Sequence, residues 1–80
     1  MKLFNEIIRV DNEPLSFHFN LMHTIFGQKF IVTVNKDRRV FVIDMQKDNY
    51  GKWEIAGSAP KWVEPFEEKL VGIITRNIYR

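Results

Sequence analysis

The chain contains no cysteine. That excludes disulfides, zinc–thiolate sites and thiol nucleophiles together. Hydroxyl nucleophiles are nearly as scarce: the serines are Ser16 and Ser58, and neither lies in a Gly-x-Ser-x-Gly elbow. Glycine occurs four times, at 27, 51, 57 and 72, too dispersed to build a phosphate-cradling loop. With three prolines there is no collagen-like or Pro-rich tract. Apolar runs are only a few residues long, against the roughly 20 that a spanning helix needs. Asn5 and Glu6 interrupt any apolar signal core, no small-residue cleavage site follows, and there is no Asn-x-Ser/Thr sequon. The expectation is a soluble, cytoplasmic protein with no membrane partner.

An excess of one charge is also missing. Twelve Lys and Arg stand against ten Asp and Glu, a formal charge of +2. The pI near 9.1 overstates this balance. The basic residues are scattered along the chain, unlike the clustered basic face of a nucleic-acid binder.

What is present suffices for one small globular domain over residues 1–80. At 45% hydrophobic and 14% aromatic the chain is too apolar for disorder. A domain of this size hides about 60% of its unfolded surface, which limits it to one core. The hydrophobic period is about 2 for most of the length and changes to 3.6 near the end. Leu15, Phe17, Phe19 and Leu21 alternate with Ser16, His18 and Asn20, the pattern of a half-buried antiparallel strand. Strands are also predicted over 30–34, 39–45 and 52–55, with Phe30, Val32, Val34, Phe41, Ile43, Met45, Trp53 and Ile55 inward. Residues 35–38 and 47–51 carry the Asn and Asp of turns.

The first ten residues fit two periods. Leu3, Phe4, Ile7 and Ile8 match a helix, whereas Phe4, Ile8 and Val10 match a strand, and the turn signal Asp11-Asn12-Glu13-Pro14 favours a strand in a hairpin. The end of the chain predicts a helix entered at Pro65. Glu67 and Glu68 lie in its first turn and Arg76 and Arg80 in its last, as the helix dipole favours. Phe66, Leu70, Val71, Ile73, Ile74 and Ile78 share one arc, with Gly72 opposite. Trp62, in the connection before the helix, is expected to cover one end of the core. The fold class is α+β: an antiparallel β-meander of four to five strands with one C-terminal α-helix packed across one face.

No constellation of residues carries chemistry. His18 and His23 are five apart, so in a strand they face opposite sides and cannot chelate together. A pairing of His18 with Asp44 across the sheet is the one conceivable acid/base couple, and an ordinary solvent-facing histidine outweighs it. The carboxylates Glu64, Glu67 and Glu68 are accounted for by the helix N-terminus. No catalytic residue, metal site, cofactor or small-molecule substrate is expected.

Two surfaces remain. Ile31, Val40 and Val42 point away from the helix, so the outer sheet face, with His18 at its centre, is a candidate protein-contact surface, for another protein or for a second copy. The alternative is weak binding of single-stranded nucleic acid by the basic turns, through Lys36, Arg38, Arg39, Lys47 and Lys52. Against it, Phe17, Phe19, Phe30, Phe41 and Trp53 are required by the core, and no Lys/Arg-Gly-Phe/Tyr-x-Phe segment is present. A strand meander followed by one helix is similar, in element order alone, to the single-stranded-DNA-binding transcriptional coactivators of the positive-cofactor type. No residue motif is shared, so that resemblance carries no site to this chain. The functional expectation is a non-enzymatic domain acting through protein contacts, with a homodimer as one form.

Overall fold

The computed structural model describes residues 3–78. Five strands, β1 (Leu3–Val10), β2 (Glu13–Thr24), β3 (Gly27–Lys36), β4 (Arg39–Lys47) and β5 (Trp53–Ile55), precede a short 3-10 turn (Glu64–Phe66) and the helix α1 (Glu67–Ile78). Every strand pairs antiparallel with its sequence neighbours, in the order β1-β2-β3-β4-β5. The fold is therefore the expected α+β meander with a C-terminal helix.

The first segment is a strand. Its register sets Phe4 opposite Phe19 and Ile8 opposite Leu15, which buries Ile8 and Val10 and stacks the Phe4 and Phe19 rings with centroids 4.8 Å apart. A helix would have spread the β-branched Ile7, Ile8 and Val10 over a surface unable to pack them as well. The strands run further than the apolar alternation alone marks, because three of the turns, at residues 11–12, 25–26 and 37–38, use only two residues. Asp11 and Asn12 (φ 51° and 65°) and Asp37 and Arg38 (φ 53° and 64°) take positive φ at both central positions. That is the type I′ turn, whose twist matches the strands it joins.

The inner face of the sheet and the apolar arc of α1 share one core: Phe17, Phe19, Phe30, Val32, Ile43, Met45, Leu70, Ile73 and Ile74 are among its buried members. Gly72 lies opposite and is exposed. Trp62 covers one end of this core, its ring 5.4 Å from Phe41 and 6.4 Å from Phe17. Both sheet edges are tied to the helix. On β1, Glu6 accepts a 2.8 Å hydrogen bond from Arg76. On β5, the backbone N–H of Ile55 donates to Glu67 Oε2 at 2.8 Å. Glu67 thus does more than face the helix dipole: it occupies a donor that an edge strand would otherwise offer to another chain.

Candidate contact surfaces

Strand register places every outward side chain on the open face of the sheet. One cross-strand row reads Leu3, Asn20, Ile31, Asp44; the next reads Asn5, His18, Thr33, Val42. Val40 follows Val42 along β4 and pairs with Asn35. The face is therefore a polar strip along β2, with Ser16, His18 and Asn20, between two apolar flanks. On β1 the flank is Leu3 and Ile7, 68% and 70% exposed; on β4 it is Val40 and Val42, 65% and 57% exposed. Ile31 is half-buried. It sits directly beside Asp44 and only diagonally from Val42, so the apolar patch continues obliquely between neighbouring strands. The N-terminal segment does not lie over this face. It is β1, an extension of it.

His18 and Asp44 are not brought together. They belong to different rows, with β3 between their strands. His18 Nδ1–H donates to Asn5 Oδ1 at 2.8 Å, which fixes the ring of this exposed residue. Asp44 accepts from Lys29 Nζ and from Gln46 Nε2, each at 3.4 Å. Asn20 Oδ1 is buried without a hydrogen-bond partner among the described residues. Among the described residues no group of three or more acidic or histidine side chains converges on a point where a metal would sit.

The five basic turn residues divide into two groups. Lys36 pairs with Arg39 across the β3–β4 hairpin, and Arg38 occupies its turn. Lys47 lies at the far end of β4 and Lys52 just beyond. Eight residue steps of strand, about 26 Å, separate the groups. They do not line one groove. Lys36 Nζ is spoken for by Asp37 at 2.9 Å and lies 5.5 Å from the centre of the Trp62 ring. Lys47 Nζ lies 5.4 Å from the centre of the Trp53 ring.

The most exposed apolar side chains are elsewhere. Ile25 and Phe26, between β2 and β3, are 92% and 93% exposed, and Tyr50, between β4 and β5, is 95% exposed. The sequence pattern marks Ile25 and Phe26 only as lacking an obvious buried role, and it does not single out Tyr50. An open depression of about 450 Å³ lies beside the hairpin tip, lined by Phe26, Gln28, Lys29, Gln46 and Lys47 among others.

Compared with protein-family models, curated proteins and solved structures, the chain matches none. The arrangement of its own side chains is what carries a functional reading.

Proposed function

We propose that this domain works by contact, and that the outer sheet face is a homodimer surface. The observation that supports it is the pair of apolar flanks on β1 and β4, standing on the one sheet face that the helix does not cover. A strip that runs apolar, polar, apolar is self-complementary. Turned about a two-fold axis, it lays β1 of one copy over β4 of the other and polar centre over polar centre. The longer dimensions of the molecule, 35 and 25 Å, are on the scale of the roughly 800 Å² per partner that a specific interface buries. His18, anchored to Asn5, lies in the polar strip and supplies hydrogen bonds there.

Sedimentation equilibrium tests this directly. The wild-type chain is expected at twice the chain mass regardless of salt, and Val42→Lys at the monomer mass with a far-UV circular-dichroism spectrum that overlays the wild type and a melting temperature that no longer depends on concentration. A wild-type chain that is a strict monomer overturns the reading. A chain that gains mass only with a short single-stranded oligonucleotide at low salt would replace it with binding through the basic turns, since phosphate contacts weaken steeply with salt.

A further inference from the structure

The tip of the β2–β3 hairpin is built in a way the fold does not require. Thr24 Oγ1 donates to the carbonyl of Gly27 at 2.8 Å and accepts the backbone N–H of Phe26 at 3.1 Å. Gly27 takes the left-handed step at φ 115°. These contacts fix the turn through Thr24, Gly27 and backbone alone. The Ile25 and Phe26 side chains have no part in it, yet they are among the most exposed in the domain. Nor are they needed to close the core, because Trp53 already does so at this end, 5.3 Å from Phe30.

A second tip stands beside the first. Lys29 pairs with Gln46, so Lys47 is level with Gln28 and Asp48 with Gly27. The loop after Asp48 therefore projects from the same end as Ile25 and Phe26, two strand spacings away, about 10 Å across the sheet. It presents Tyr50, held by hydrogen bonds from the backbone N–H groups of Tyr50 and Lys52 to Asp48 Oδ1 at 2.8 and 2.9 Å. That contact turns the Asp48 carboxylate into its own loop. Around the base stand Lys47 and Lys52, neither in an ion pair among the described residues, and Lys29, which shares Asp44. Three acidic side chains also stand close by: Glu54 on β5, and Glu67 and Glu68 at the start of α1, which line one depression with Asp48 and Lys52; Glu67 is engaged by the Ile55 N–H.

We infer that these two tips form a shallow membrane-contact site, with an anionic lipid surface as its ligand. Two apolar side chains at the apex, a tyrosine with one apolar and one wet end, and lysines behind them are the chemistry of interfacial insertion. Among the described residues no helix is long and apolar enough to cross a membrane, so the domain would rest on the surface. A second copy is a poor occupant, since two apex side chains fall far short of a stable dimer's area. Nucleic acid would use Phe26, Tyr50 and the lysines but would gain nothing from Ile25. The site is separate from the outer face, so its failure and that of the dimer reading are independent.

Vesicle co-sedimentation decides it, with phosphatidylcholine vesicles and with vesicles carrying about one-third phosphatidylserine. Binding is expected on the anionic vesicles. Ile25→Ser with Phe26→Ser should weaken it by on the order of a hundredfold, and Lys47→Gln with Lys52→Gln by about thirtyfold. Because all four tip residues are exposed, circular-dichroism melts of both tip variants should overlay the wild type. The inference is overturned if neither vesicle binds, if the Ser variant binds like the wild type, or if that variant instead changes the lipid-free mass or binding to an oligonucleotide.

Discussion

The two ends of the sheet are closed alike and decorated differently. At one end Trp62 covers the core beneath the Asp11–Asn12 and Asp37–Arg38 turns, with Lys36 over its ring. At the other, Trp53 covers the core with Lys47 over its ring. Both indole Nε1 atoms are buried with no partner among the described residues, so in each case the apolar body of the tryptophan carries the closure. Above Trp62 the turn residues are charged or amide; above Trp53 they are Ile25, Phe26 and, one loop over, Tyr50. Core closure therefore explains the tryptophans at both ends but not the exposed apolar side chains at the Trp53 end. Residues that the fold does not use, at a cost in solvent exposure, call for a different explanation from residues that it buries.

The sharpest way to break this contrast is to truncate one aromatic at each end. Trp62→Ala removes contacts to Phe17, Phe41 and the Lys36 ammonium, and it should cost about 3 kcal/mol. In a domain of this size that lowers the melting temperature by on the order of 10–20 °C. Phe26→Ala removes a side chain that is 93% exposed and should stay within about 0.5 kcal/mol of the wild type. Thermal melts of the two variants side by side give the answer. A Phe26 variant that melts as low as the Trp62 one would mean the tip is folded against the protein in solution.

Much of this fold is legible in the sequence because alternation is a local signal. Leu15 to Leu21 alternate in the chain and in the sheet, and the helical arc from Phe66 to Ile78 buries its centre at Leu70, Ile73 and Ile74. Residues 3–10 satisfy two periods at once; the β-branched Ile7, Ile8 and Val10 lean toward a strand, and pairing with β2 completes the choice. Contact geometry is less legible. Alternation puts Ile31 and Val42 on one face, but only the two-residue turn at Asp37–Arg38 sets the register that places Ile31 beside Asp44. The same register carries Lys47 and Lys52 away from Lys36, Arg38 and Arg39. Glu67 reaches the Ile55 N–H across 12 residues of sequence, a bond that arises from helix docking and leaves no local trace.

A smaller effect separates the turns themselves. At the polar end Arg38 bears φ 64° with a full side chain, a conformation that costs an L-residue roughly 1–2 kcal/mol. Arg38→Gly should stabilise the domain by up to about 1 kcal/mol, less the extra chain entropy glycine brings to the unfolded state. At the apolar end a methyl group added to Gly27 would meet no atom within 4 Å. Gly27→Ala should nevertheless cost about 1–2 kcal/mol, because the strain at φ 115° is in the backbone. Denaturant midpoints should move in opposite directions for the two variants. If both fall, the β3–β4 turn needs its arginine for a contact that outweighs the relief.

The smallest expected effect is electrostatic, and it belongs to the polar end. The hydrogen bond to Asp37 holds the Lys36 ammonium above its ordinary 10.5; desolvation opposes the shift, and the charges of Asp37, Asp11 and Glu13 add to it. A lysine whose folded value is raised contributes stability that is complete below the unfolded value and lost as pH rises through the folded one. The difference in melting temperature between the wild type and Asp37→Asn should therefore be flat from about pH 8 to 10 and shrink above that range. The pair is solvent-screened, so the plateau should also narrow in high salt. A difference that persists unchanged beyond the lysine's titration would assign the role of Asp37 to its turn geometry, at φ 53°, and leave the stacking of Lys36 on Trp62 as the contact that matters at that end.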